Sequence, residues 1–100
     1  MNWLVNIRPA ALEDIENAAD WYEQRSPGLG TDFVARIRAA IASLALEPDL
    51  PRIRHARWKI RWIYPKRFPY RIIYRITDQQ VTVLAIMHAA RSDIGWKERL

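Results

Sequence analysis

The spacing of apolar residues changes from three or four to two near Arg57, and this change divides the chain into a helical half and a strand half. Before it, two apolar runs at helical spacing flank a break that contains Pro and Gly at residues 26–30. The runs are Leu12, Ile15, Ala19 and Tyr22, then Phe33, Ile37, Ile41 and Leu44. The pattern predicts two amphipathic helices joined as a hairpin.

After Arg57, alternate residues share a chemical type, which is typical of half-buried strands. Residues 57–64 and 70–77 alternate in this way, whereas residues 81–87 are apolar on both faces apart from Thr82. Short connections between the three segments predict an antiparallel meander with 81–87 as its interior strand. Alternation in residues 2–7 predicts a further short strand before the helices.

These elements predict an α+β fold in the order β-α-α-β-β-β, with the helical hairpin packed on a small antiparallel sheet. A chain of 100 residues has room for one core, so we expect a single domain over residues 1–100 followed by a short polar tail. Aromatic side chains that alternate with the basic ones are expected in the core under the helices. They are Trp58, Trp62, Tyr70 and Tyr74.

The net charge of +5 is unevenly distributed. Residues 1–50 carry 4 basic and 8 acidic side chains, whereas residues 51–100 carry 12 basic and 3 acidic ones. The basic strand residues are expected together on the sheet face away from the helices: Arg57, Lys59, Arg61, Arg71 and Arg75. Arg binds phosphate and carboxylate groups well, so this face indicates a polyanion or an acidic protein as partner. Solubility alone is the alternative explanation.

Other chemistry has little support in the sequence. No Cys is present, the two histidines His55 and His88 are far apart, and no Gly-rich phosphate loop occurs, so we predict neither a metal site nor a cofactor. No segment has the layout of a signal peptide or the length of a membrane span, which predicts a cytoplasmic protein without a membrane partner. His88 could act as an acid or base, or be structural, and Arg91 follows a buried strand.

Three segments of the second half resemble the toxins of the RelE/ParE superfamily. They are Phe-Pro-Tyr-Arg-Ile-Ile-Tyr-Arg-Ile at 68–76, Val-Leu-Ala-Ile-Met-His-Ala-Ala-Arg at 83–91 and Trp-Lys-Glu-Arg at 96–99. The resemblance implies the toxin of a type II toxin–antitoxin module, of the ParE-like kind associated with plasmid stabilisation. It also implies a cognate antitoxin that wraps the toxin with a partly disordered segment, giving a toxin–antitoxin hetero-oligomer.

The resemblance implies two possible activities. ParE-like members inhibit DNA gyrase, whereas RelE-like members cleave mRNA in the ribosome, and whether this chain is an enzyme stays open. Arg71 and Arg91 fall where RelE-like nucleases bind phosphate, with His88 as a possible proton shuttle, but their C-terminal Tyr has no clear equivalent. The Phe-Pro-Tyr strand and the long hairpin favour the gyrase inhibitor. The alternatives are the nuclease and a non-toxic basic interaction domain.

We expect one set of residues to bind the target and to be neutralised by the antitoxin. It consists of Arg57, Lys59, Arg61, Arg71, Arg75, Arg91 and Trp96.

Overall fold

A computed structural model describes residues 2–100, and its helices and strands follow the predicted order. The elements are β1 (Leu4–Ile7), α1 (Pro9–Arg25), α2 (Leu29–Ser43), β2 (Arg61–Ile63), β3 (Tyr70–Thr77), β4 (Gln80–His88) and α3 (Ile94–Lys97). The predicted polar tail therefore contains one short helix.

The sheet has the strand order β1-β4-β3-β2. The pairs β2–β3 and β3–β4 are antiparallel, as the meander predicts. β1 pairs with β4 in parallel, with Val5 opposite Val81, so the complete sheet is mixed. The apolar segment at 81–87 lies inside this sheet, which confirms its prediction as an interior strand.

The turn between α1 and α2 holds the two helices close together. Gly28 has a φ of 88°, a left-handed conformation that glycine adopts without strain. Glu23 at the end of α1 accepts hydrogen bonds from the backbone N–H groups of Gly28 (2.8 Å) and Gly30 (3.0 Å). A Cβ atom on Gly30 would lie 2.5 Å from the carbonyl oxygen of Ala19, so only glycine permits this approach.

The first core lies between the hairpin and the sheet. The apolar stripe predicted for α2 is buried there against β3 and β4, with Phe33, Ile37 and Ile72 fully shielded from solvent. Tyr74 is also fully buried, and its hydroxyl donates a 2.7 Å hydrogen bond to the carbonyl of Pro48. This bond ties the segment after α2 to the sheet.

A second, smaller core covers the opposite face of the sheet. It contains Ile60, Ile73, Leu84, Ala85, Met87 and Trp96, with Trp58 and Trp62 packed against it. The prediction that Trp58 and Trp62 lie under the helices is therefore wrong, whereas Tyr70 and Tyr74 do lie on the hairpin side. The reason is register: Trp62 pairs with Ile73, so both side chains point to the face away from the hairpin.

Replacing one buried isoleucine in each core tests this two-sided packing. Ile37→Ala and Ile73→Ala should each lower the free energy of unfolding by about 2–5 kcal/mol, because each leaves a cavity among fully buried neighbours. Leu50→Ala is the matched control, since Leu50 is 75% exposed and its loss should change stability by less than about 0.5 kcal/mol. Urea denaturation measures all three. An unchanged midpoint for Ile73→Ala would contradict the second core.

Tyr74→Phe tests the bond to Pro48. The variant should lose about 1–2 kcal/mol at neutral pH, because the carbonyl of Pro48 loses a buried partner. Burial raises the pKa of Tyr74 to about 12, against about 10 in an unfolded chain. This stabilisation is therefore complete below about pH 10 and is lost as the pH rises towards 12. The stability difference between wild type and variant should shrink over that range, and a constant difference would disprove the assignment.

Candidate functional site

Arg71 lies on the sheet face away from the hairpin, as predicted, but it is only 4% exposed. Its Nη1 donates to Oδ1 of Asp93 at 2.8 Å, and its Nη2 donates to the backbone carbonyl of Arg91 at 2.9 Å. The guanidinium carbon lies 4.8 Å from the ring centre of Trp62. In this conformation the guanidinium of Arg71 is occupied within the chain and anchors the segment after β4, and its predicted binding role stays a prediction.

The carboxylate that binds Arg71 belongs to the tail. The hydrogen bond from Arg71 holds the pKa of the Asp93 carboxyl below its ordinary value, against the opposing effect of partial burial. Trp96, one turn further, is fully buried in the second core. In this conformation Trp96 has no surface open to a partner, and its predicted binding role stays a prediction.

The remaining predicted basic residues do not share one sheet face. Arg61 pairs with Tyr74 and so lies on the hairpin side, whereas Arg75 pairs with Thr82 on the other side. Residues 57–59 form a turn rather than a strand, with Lys59 at a φ of 53°, so Arg57 and Lys59 are exposed on a loop. The alternation before β2 reflects packing of the tryptophans in the second core.

A cationic surface does exist, but it is centred on the loop before β2. Residues 51–77 contain nine basic and no acidic side chains. Within residues 2–100, two of the nine form salt bridges, Arg67 with Asp32 at 3.4 Å and Arg71 with Asp93. The other seven are Arg52, Arg54, Arg57, Lys59, Arg61, Lys66 and Arg75.

We name residues 52–59 the cationic loop. Two of its guanidinium groups lie near aromatic rings, Arg54 at 5.2 Å from the ring centre of Trp62 and Arg57 at 4.9 Å from that of Trp58. Such contacts restrict the side chains while leaving both residues exposed. Arg52 and Arg54 were not predicted as binding residues, although the absence of acids from residues 51–77 is visible in the sequence.

His88 and Arg91 meet in a groove between α1 and the adjoining ends of β3 and β4. The groove has a volume of about 610 Å³ and is also lined by Trp21, Tyr22 and Tyr70. Nδ1 of His88 accepts a 3.1 Å hydrogen bond from the backbone N–H of Ala90. Burial raises the pKa of Tyr70, and Tyr22 adds to the rise while Arg91 opposes it. The structure thus brings His88 and Arg91 together, with Arg71 on the opposite face of the sheet.

An ion pair that was not predicted from the sequence lies along the part of β4 that β1 does not reach. Arg99 donates to both carboxylate oxygens of Asp14, at 2.6 and 2.9 Å, and to the carbonyl of Leu84 at 3.0 Å. The same carboxylate accepts the N–H of Ile86 at 2.9 Å. In the sequence Asp14 resembles any acid on a solvated helix face, so no signal marked it.

Residues 2–100 contain no cluster of three His, Cys, Asp or Glu side chains able to hold a metal ion. In the same part of the chain, none of the helices has the length and hydrophobicity needed to cross a bilayer.

Comparison with known proteins identifies the family. Residues 5–93 match the family described as "ParE toxin of type II toxin-antitoxin system, parDE". The chain is 33% identical over 81 residues to Toxin RelE2 of Caulobacter vibrioides, covering 81% of this chain and 89% of that protein. The chain therefore belongs to the ParE toxin family. It is a type II toxin of the ParE/RelE superfamily, which confirms the resemblance seen in the sequence.

Solved structures share the fold. A chromosomal ParDE system from P. aeruginosa matches with a TM-score of 0.76 and 17% identity, covering 86% of this chain and 95% of that one. A variant of the E. coli toxin RelE in the free state matches with a TM-score of 0.65 and 13% identity, covering 99% and 94%. The RelBE2 toxin–antitoxin complex from Mycobacterium tuberculosis matches with a TM-score of 0.58 and 22% identity, covering 88% and 99%.

The two partners of the Arg71–Asp93 pair should respond unequally to mutation. Asp93→Ala should cost about 2–4 kcal/mol, because it leaves a buried cation without its carboxylate. Arg71→Met should cost less than about 1.5 kcal/mol, because Met fills much of the same volume and the remaining Asp93 side chain is 42% exposed to water. Thermal and urea denaturation of both variants measure the difference, and equal losses would contradict the asymmetry.

An acid titration is the control for this pair. Because the folded pKa of Asp93 is lowered, its contribution to stability is present above the unfolded value and is lost as the pH falls through the folded value. The wild type should lose stability below about pH 4 more steeply than Asp93→Ala does. Parallel acid curves would show that the pair does not contribute.

Proposed function

We propose that this toxin inhibits DNA gyrase by binding it, without catalysis of its own, and that a cognate antitoxin neutralises it. The observation that carries the proposal is the position of Arg71. Its two terminal nitrogens are occupied by Asp93 and the Arg91 carbonyl, and it is almost fully buried. A phosphate could replace the carboxylate only if the tail first moved away.

The arrangement of His88 supports the same proposal. General acid–base cleavage of RNA needs a proton donor or acceptor next to the groups that bind the reacting phosphate. His88 packs against Tyr70 on the hairpin side of the sheet, whereas the guanidinium of Arg71 lies on the other side with Trp62. A catalytic role for His88, Arg71 and Arg91 together is therefore disfavoured.

The cationic loop is the surface we propose for the target. Its four basic side chains form no salt bridges within residues 2–100, and two of them are held by tryptophan rings. Uncompensated charge of one sign speeds association with a partner of opposite charge. Arg91 remains in the proposed binding set, since it is exposed at the His88 groove.

The antitoxin is proposed by analogy with the solved relatives. The P. aeruginosa structure is a ParDE system and the M. tuberculosis structure is a RelBE2 toxin–antitoxin complex. For this chain we propose a hetero-oligomer in which an acidic antitoxin segment covers the cationic loop. Both candidate targets would place the action of the toxin in the cytoplasm.

Ribosome-dependent cleavage of mRNA is the second candidate. It is favoured by the relative named Toxin RelE2, which is similar over most of this chain. Cleavage would require opening of the Arg71–Asp93 pair or other catalytic groups.

The test uses purified toxin, gyrase and supercoiled plasmid, with ribosomes and mRNA in a parallel reaction. We expect gyrase-dependent DNA breaks and intact mRNA. Arg54→Ala/Arg57→Ala/Lys59→Ala should reduce the breaks at least about tenfold, because it removes the charge that attracts the target. Arg71→Met should retain them within about threefold, because the guanidinium of Arg71 is buried within the chain.

The matched control is Arg25→Ala/Arg36→Ala/Lys97→Ala, which removes the same charge outside the cationic loop and should remain active. Cleaved mRNA without DNA breaks would establish the nuclease instead. Neither product, together with normal growth on induction, would indicate a non-toxic interaction domain.

A further inference from the structure

The cationic loop ends in a short hairpin whose backbone is fixed by hydrogen bonds. The N–H of Arg54 donates to the carbonyl of Ile60 at 2.6 Å, and the N–H of Ile60 donates to the carbonyl of His55 at 3.1 Å. His55 and Ile60 form an antiparallel bridge, and residues 56–59 make the turn at the tip. The chain itself therefore holds the tip of the loop in one shape.

One side of this hairpin is joined to the second core. The ring of His55 stacks on that of Trp58, with 4.8 Å between centroids, and lies edge-on to Trp96 at 5.5 Å. Ile60 is fully buried. The four basic side chains of the loop are all exposed. The hairpin thus carries its aromatic and apolar groups inward and its charge outward.

The outward surface concentrates positive charge. Its basic residues lie within eight positions of the chain, and within residues 2–100 none of them forms a salt bridge. They are Arg52, Arg54, Arg57 and Lys59. Three of the four are Arg, whose planar fork donates paired hydrogen bonds to a phosphate. Duplex DNA carries about one negative charge per 1.7 Å of its axis, so it can meet all four cations at once.

The tryptophan rings next to the loop do not offer a platform for stacking bases. Trp58 is already contacted by the ring of His55 and by the guanidinium of Arg57, and Trp62 is contacted by two guanidinium groups. Proteins that bind single strands without sequence preference stack the bases on aromatic side chains. A duplex presents its phosphates and needs no such platform. The loop is therefore better matched to a duplex than to a single strand.

We propose that the cationic loop binds the phosphate backbone of duplex DNA without reading its base sequence. Residues 52–59 contain no Asn or Gln, the side chains that pair with adenine in the major groove. Phosphate contacts position a protein on DNA but carry no sequence information. The place of this contact in toxin action rests on the proposed function: gyrase acts on duplex DNA, so the loop would hold the toxin on the DNA beside the enzyme.

Other anionic partners fit the loop less well. A folded acidic protein gains most of its affinity from buried anchors, and an anionic membrane needs apolar side chains to insert beside the basic ones. The cationic loop exposes one large apolar side chain, Ile53, which is 42% exposed. The neighbouring tryptophans pack on the second core instead. Charge without apolar anchors favours a polyanion, whose binding depends on charge.

Fluorescence anisotropy of the full chain with labelled DNA tests the proposal. Two duplexes of unrelated sequence, each of about 20 base pairs or two helical turns, should bind with affinities within about threefold of each other. Affinity should fall steeply with salt. The double-logarithmic slope should be about −3.6 for four phosphate contacts that each release about 0.9 of a counterion. A single strand of equal length should bind at least about fivefold more weakly.

Arg57→Ala/Lys59→Ala removes two of the four contacts, at the tip of the loop. It should weaken duplex binding at low salt at least about tenfold and make the slope shallower by about 1.8. Arg52→Gln/Arg54→Gln should act similarly at the base of the loop. The matched control is Arg25→Ala/Lys97→Ala, which removes the same charge at exposed positions outside the loop and should keep the wild-type slope. Thermal denaturation checks that each variant is folded.

Several outcomes would overturn the proposal. They are absence of duplex binding at low salt, an affinity that does not change with salt, and a slope that both loop variants leave unchanged. Tighter binding of a poly-glutamate peptide, of anionic lipid vesicles or of the single strand than of the duplex would overturn it too, by assigning the loop to another partner.

The gyrase reaction is run on the same variants to keep the two proposals separate. Duplex binding through the loop without DNA breaks would support the DNA contact and contradict only the gyrase proposal. DNA breaks by a toxin that does not bind duplex DNA on its own would contradict only the DNA contact.

Discussion

Burial of β4 on both faces is the constraint on which the rest of the structure depends. A strand with apolar side chains on both faces must be packed against other elements on each side. The hairpin packs on one side through Phe33 and Ile37, and the tail and the segment before β2 pack on the other through Trp96 and Ile60. Because both faces are used for packing, the basic residues of this half have little sheet surface left.

The second core explains where the positive charge of the toxin lies. Arg71 projects from β3 into the region of the tryptophan-rich core, where it is stable only with a carboxylate and a carbonyl as partners. Most basic residues of this half without such partners lie outside the sheet, four of them in the cationic loop. The acids of α1 lie on the helical hairpin, so the hairpin and the cationic loop differ in the sign of their charge.

Much of the fold could be predicted because it depends on local periodicity. The helical stripes, the hairpin break and the interior strand all follow from spacing that the sequence displays directly. The parallel position of β1 could not be predicted, since four residues carry no information about which edge they join. The faces on which Trp62 and Arg61 lie depend on cross-strand register. The sequence does not show that register, because β2 begins at Arg61, four residues after the alternation starts. The placement of the basic residues of the candidate site could not be predicted, because burial of Arg71 depends on a carboxylate 22 residues away.

The contacts of Arg99 have a consequence for cooperativity. Its carbonyl accepts a hydrogen bond from Arg8, 91 residues away, and its side chain binds Asp14 across 85 residues. β1 joins β4 over a similar separation, so all three contacts close nearly the same loop. The entropy of loop closure rises only with the logarithm of length and is lost once for contacts that share a loop. Each contact thus makes the others less costly to form, and the N-terminal strand, α1 and the tail gain or lose their order as one unit.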